Sequence, residues 1–195
     1  MKNRSLLLAA LVLAFGGAAG IAQVKALSLT ELTTFADNAV IGTVVASRVI
    51  DLGNERDGYE LYYTVFTVEG DSIYNGRKTS VDVVARGGWI DKDRGIGCWN
   101  SEAPHATEIA VGKQVVAYYK WVDNIGRGTG ANILYASHGS LFRTAKGPNG
   151  LVVLGRGDGY AINKNMKLSS LRTASRTILD QAAKKKLEEQ QQSDK

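Results

Sequence analysis

The sequence predicts a mainly β domain, a small antiparallel barrel with a short helix before it and a longer helix after it. Three observations carry this. Residues 59–68 and 79–85 are rich in β-branched and aromatic side chains and are joined by a polar segment containing Asn75-Gly76, the pattern of an antiparallel pair. Further runs of this kind, at 39–49, 114–122, 133–137, 140–144 and 151–156, are separated by glycine-rich turns, as in a barrel or sandwich. From Leu168 the apolar spacing changes from two to between three and four, so the chain closes on a helix.

The first element is set apart from that domain. Lys2 and Arg4 precede an uncharged apolar run at 6–15, followed by small residues through Ala22 and Ala26, which is the layout of a secretory signal. The run is short against the ~20 residues a spanning helix needs. Cleavage after Ala22 or Ala26 leaves no cysteine at the new terminus, so a lipid anchor is not expected. The predicted organisation is a signal peptide at 1–26, one barrel domain with its C-terminal helix at 27–183, and a polar tail at 184–195 expected to fray. The protein is then secreted or periplasmic, with no stable membrane anchor.

Losing Lys2, Arg4 and Lys25 with no acid lowers the net charge from +5 to +2. A nucleic-acid surface should survive that loss and cluster on one face, and the remaining basic residues are scattered.

Within the domain, Ser28-Leu29-Thr30-Glu31 is a capping-box pattern that starts a helix of about two turns, with Leu29, Leu32 and Phe35 on its apolar side. The strand at 39–49 contains Gly42, where a bulge or sharp bend is expected. A polar loop at 51–58 leads into the central pair. Residues 86–112 then form the longest stretch without a period, holding Trp89, Trp99 and many glycines. Loops of that length in a domain are usually functional or disordered, and two tryptophans argue against plain disorder. In the last helix Leu168, Leu171, Ser175, Ile178, Leu179, Ala182 and Leu187 fall near one face.

The order of a helix, then Phe35-Ala36-Asp37-Asn38-Ala39-Val40-Ile41-Gly42-Thr43-Val44, then Tyr62–Val68, a valine-rich strand closed by Gly87-Gly88, and Val111-Gly112-Lys113-Gln114-Val115-Val116-Ala117-Tyr118-Tyr119 resembles a group of exported bacterial β-domains of unassigned function. More distantly it is similar to the netrin-like module of tissue inhibitors of metalloproteinases. The resemblance implies an OB-type five-stranded barrel with terminal helices. It does not imply inhibition: those inhibitors clamp the protease zinc with an N-terminal cysteine, and Gln23 or Leu27 would stand first here.

Candidate chemistry is sparse. Cys98, His105 and His138 are the only Cys and His residues, so no internal disulfide can form. Cys98 is read first as a buried small residue, then as an intermolecular bridge or a reactive thiol. Its spacing to His105 matches no catalytic signature, the three residues have no metal-site spacing, and no catalytic residue, metal or cofactor is assigned. The glycine-rich segments around Arg127 and Arg156 lack the Lys-Ser or Lys-Thr of a phosphate loop and are read as turns, including the adhesion-like Arg156-Gly157-Asp158.

Alternation groups Tyr62, Phe66 and Tyr118 on one side of their strands and Tyr63 and Tyr119 on the other, so one set at least is core. The expected function is a non-catalytic binding module for a protein, peptide or glycan and not for nucleic acid. Its contact candidates are Arg86, Trp89, Trp99 and His105. The alternatives are a thiol-dependent hydrolase using Cys98 and His105, and a structural envelope protein.

Overall fold

The computed structural model describes residues 27–193, so the signal peptide expected at 1–26 and the last two residues lie outside the described residues. Helix α1 (Leu29–Phe35) starts as its sequence dictates. The Glu31 N–H donates to Ser28 Oγ at 3.1 Å, and the Ser28 N–H donates to the Glu31 carboxylate at 2.9 Å. Leu32 faces inward, while Phe35 is left half exposed, stacked on Tyr135 with ring centroids 6.4 Å apart.

Strand β1 (Asn38–Asp51) organises the barrel because it has two partners. It pairs along most of its length with β2 (Tyr62–Ser72) and, through Asn38 to Thr43, with β6 (Gln114–Val122). The ring is completed by β3 (Lys78–Arg86) and β7 (Ala131–Leu134), in the order β1-β2-β3-β7-β6 and back to β1. This is a closed five-stranded barrel of OB type. One of its seams is parallel, Val83 and Val84 of β3 against Asn132 and Ile133 of β7. The chain reaches β7 only after leaving β3 through a long excursion and passing up β6.

The bulge expected at Gly42 sits instead at Val45, where the register of β1 against β2 shifts by one. Gly42 has another use. It lies opposite Gly70, and a Cβ on either would run into the facing backbone, at Glu69 or Ile41. The pair lets β1 and β2 approach closely where the barrel wall is tightly coiled.

Alternate residues fill the interior: Val40 and Val44 from β1, Phe66 and Val68 from β2, Val83 and Ala85 from β3, and Val115, Ala117 and Tyr119 from β6. Burial of each large side chain contributes about 1.5–3 kcal/mol. Much of the outer wall is buried too. Ile41, Val116 and Tyr118 face Leu32 of α1 and Leu171 of the last helix, and Tyr63, Val65 and Val84 lie under the 52–61 and 123–130 loops. The aromatic grouping expected from alternation is therefore corrected: Phe66 and Tyr119 share the interior, while Tyr118 and Tyr63 belong to different outer clusters.

Past β7, Ser137–Ser140 is a short 3-10 turn, followed by β8 (Leu141–Gly147), β9 (Gly150–Val153) and β10 (Met166–Lys167). These extend the sheet outward from β6. Helix α2 (Leu168–Ser193) packs its first turns on the barrel through Leu171 and Ser175. Arg172 reaches Asp71 at 3.4 Å, and Tyr74 Oη donates to the Thr33 carbonyl at 2.9 Å, tying both helices to the β2–β3 end. The helix continues to Ser193, although Leu187 is exposed. Among the described residues no helix is long and apolar enough to cross a membrane.

Candidate functional site

The long excursion after β3 is ordered, and it contains a hairpin that sequence period does not show. Gly87 and Gly88, with φ of 98° and 142°, turn the chain off the barrel into β4 (Gly88–Asp91), which pairs with β5 (Ile96–Cys98). Glycine is required at 88 for space as well as angle. A Cβ there would stand 2.6 Å from Thr64 Oγ1 and 2.8 Å from a Val49 methyl, so the hairpin lies directly on β1 and β2. Thr64 Oγ1 donates to the Gly87 carbonyl at 2.8 Å, and the Gly87 N–H donates to the Tyr62 carbonyl at 2.6 Å. At Gly97 a Cβ would meet Trp89 Cα at 2.7 Å, because the Trp89 ring lies across that residue. The hairpin thus presents Trp89, Ile90 and Trp99 outward, 38%, 53% and 76% exposed.

The following loop is held by polar contacts. The Glu102 N–H donates to Asn100 Oδ1 at 2.9 Å, and the Glu102 carbonyl accepts both the His138 N–H at 2.9 Å and His138 Nδ1 at 3.0 Å. A carbonyl can only accept, so Nδ1 carries a proton, and Nε2 shares a hydrogen bond of 3.0 Å with Tyr160 Oη. At His105 it is Nδ1 that accepts, from the Thr107 N–H at 3.3 Å, which puts the ring proton on Nε2. Glu108 caps the segment, accepting the His105 N–H at 3.1 Å and pairing with Arg156 at 2.8 Å.

Hairpin and loop enclose a cleft of about 700 Å³ over Ser47, Val49 and Thr64 of the barrel wall. Trp89, Trp99 and His105 line it together, and so does Cys98. Arg86 does not: it lines a smaller hollow of about 280 Å³ that shares Asn100 and Ala103 with the cleft. Lys92 and Glu108, which carry no sequence signal, also border the cleft, as does His138; all three meet there only through tertiary packing.

Cys98 is half-buried in the cleft wall, not in the core where its residue type first placed it. It stands on β5 of the surface hairpin, opposite Gly88 of β4. Among the described residues no hydrogen bond joins its thiol to either imidazole; His105 Nδ1 is committed to Thr107 and both His138 nitrogens are occupied. No three Cys, His, Asp or Glu residues are grouped to hold a metal ion among the described residues.

The face that OB-type barrels often offer to ligands, over strands two and three between two loops, is covered here by those loops themselves. The Arg127 N–H donates to Asp57 Oδ2 at 2.8 Å, and Arg127 Nε donates to the Gly53 carbonyl at 3.2 Å, locking the 123–130 loop onto the 52–61 loop. Leu52, Leu61 and Ile125 fill the space beneath. The hydrogen bond from Asn54, then that from the Arg127 N–H, holds the Asp57 carboxyl below its ordinary range. Comparison with protein-family models, curated proteins and solved structures finds no match.

Proposed function

We propose that the protein is an exported, non-catalytic module that binds an extended polypeptide segment in the cleft beside the β4–β5 hairpin. One observation carries this reading: Trp89 and Ile90, on a two-stranded sheet that joins no other strand among the described residues, and Trp99 directly after it are exposed beside a cleft of about 700 Å³. Unpaired strand edges accept an added strand through backbone hydrogen bonds, and the pockets beside them select its side chains. Exposed tryptophans supply the large, desolvatable contacts that dominate such interfaces. The covered strand-two and strand-three face directs recognition to the hairpin side. Export rests on the basic and apolar pattern of residues 1–26.

The test is selection from a random peptide library on the immobilised protein, counter-selected against the W89A/W99A variant. Enriched peptides that bind the parent at least tenfold more tightly than the variant support the reading. Failure to enrich any, or equal binding to both proteins, overturns it, and binding of cello- or chito-oligosaccharides that depends on both tryptophans replaces the peptide with a glycan.

A second reading, a thiol-dependent hydrolase, is favoured by one fact: Cys98 and His105 line the same cleft. Rapid alkylation of the native thiol by iodoacetamide at neutral pH, together with hydrolysis of a peptide or ester substrate lost in Cys98→Ser, supports it. Protection until unfolding removes it.

A further inference from the structure

We propose that the hollow behind the 99–105 loop is a second site, which binds a free α-amino acid with an aliphatic side chain. This goes beyond the peptide cleft: the two share Asn100 and Ala103 of the loop between them, but the charges and the apolar floor of the hollow belong to it and not to the cleft. The hollow measures about 280 Å³, just under the ~300 Å³ at which sites for drug-sized ligands begin, and so suits a smaller molecule. Its floor is apolar, formed by Tyr63, Val84, Ile125 and Ile133 of the outer core cluster.

Its rim holds two opposite charges, Arg86 and Glu102, both exposed, and among the described residues neither side chain makes a hydrogen bond or ion pair, although the Arg86 charge is felt by the Tyr63 hydroxyl of the floor. Asn100 and Asn124 stand with them. The Asn100 side-chain oxygen accepts the Glu102 N–H, and that of Asn124 accepts the N–H groups of Gly126 at 2.9 Å and Gly128 at 3.0 Å. Both amide NH2 groups are therefore left as donors. Arg86 and the two amides can receive a carboxylate, Glu102 an ammonium group, and the floor an alkyl chain. An ion or a hydrocarbon would use only one part of this arrangement; a zwitterion with an apolar side chain uses all of it. Ser137, which lines the same hollow, has a φ of 48°, an unusual backbone state that recurs beside ligands.

The experiment is a methyl-resolved NMR titration of the protein with L-leucine, leucinamide and N-acetyl-leucine. We expect saturable shifts at the Val84, Ile125 and Ile133 methyls with L-leucine, and at least tenfold weaker binding of each blocked analogue. Arg86→Gln should abolish discrimination against leucinamide, and Glu102→Gln that against N-acetyl-leucine, each with an unchanged far-UV spectrum and unfolding midpoint. Absence of saturable shifts with leucine, isoleucine and valine overturns the proposal. So does binding that both variants leave unaltered. Because Trp89 and Trp99 lie outside this hollow, W89A/W99A should retain leucine binding, which separates failure here from failure of the peptide reading.

Discussion

Arg156 and Glu108, 48 residues apart in the chain, form an ion pair of 2.8 Å with side chains only 19% and 14% exposed. The same arginine donates through Nε to the Leu141 carbonyl at 2.7 Å, and the same carboxylate receives the His105 N–H. The adhesion-like tripeptide is thereby explained structurally, since its arginine is turned inward. Arg156→Ala should lower stability by about 2 kcal/mol, because it leaves a largely buried carboxylate whose nearest remaining positive charge is Arg143, 3.8 Å away and mostly exposed. Urea unfolding checks the magnitude, and faster hydrogen exchange at residues 105–109 checks the location. Asp158→Ala, at an exposed position, should change stability by less than about 0.5 kcal/mol.

Gly97 should not tolerate a side chain. Its φ is 144°, and a Cβ would press on the Gly88 carbonyl and on Trp89. Gly97→Ala should detach the hairpin from the barrel and change the near-UV tryptophan spectrum, leaving the far-UV spectrum of the barrel in place. Loss of both spectra together would show that the hairpin is part of the global folding unit.

Acid should loosen the attachment of α2. The Lys78 ammonium, bonded at 2.9 Å, and secondarily Arg172 hold the Asp71 carboxyl below its ordinary 3.8. A carboxyl whose folded pKa is depressed stabilises the fold above its unfolded pKa, and that contribution disappears as pH falls from about 4 through the folded value. Asp71→Asn should therefore flatten the acid limb of the stability curve. At neutral pH its effect should stay below about 1 kcal/mol, because Lys78 is almost wholly in solvent.

Tyr118 carries a hydroxyl that its site hardly uses. The ring is fully buried between barrel and helices, and the Thr33 and Ser175 hydroxyls lie beside its Oη without an aligned hydrogen bond. Burial pushes its pKa up. Tyr118→Phe should change stability by no more than about 1 kcal/mol in either direction, whereas Tyr118→Ala should cost about 3–5 kcal/mol by opening a cavity against Phe142. Thermal unfolding of the two variants side by side distinguishes the ring from its oxygen.

Much of this architecture is legible in the chain because the signals are local. Ser28 and Glu31 announce α1, alternation announces β1, β2, β3 and β6, and the change of period at Leu168 announces α2. What is not legible depends on partners distant in sequence. Strands β4 and β5 have four and three residues, too short to show a period, and the glycines at 87, 88, 95 and 97 that shape the hairpin read as loop.

Residues 133–137 and 140–144 each read as strand. Ser137, however, takes a left-handed φ and accepts a bond from Ser140 Oγ at 3.0 Å, so β7 stops at Leu134 and β8 begins at Leu141. Alternation gives two faces to a strand but not which face is inside; closure of the barrel decides that, and it separates Tyr118 from Phe66. Of the candidate site, Trp89, Trp99 and His105 could be chosen because large or polar side chains in a long loop need a reason. That Arg86 faces a different hollow depends on the path of the loop between them.

The most direct test of the account is an amide chemical-shift map of the protein titrated with its best library-selected peptide. The account predicts saturable shifts confined to β4, β5 and the 99–109 loop, with new protection of the β5 amides from hydrogen exchange as the added strand pairs with them. Shifts centred on the 52–61 and 123–130 loops, with β4 and β5 unchanged, would contradict it.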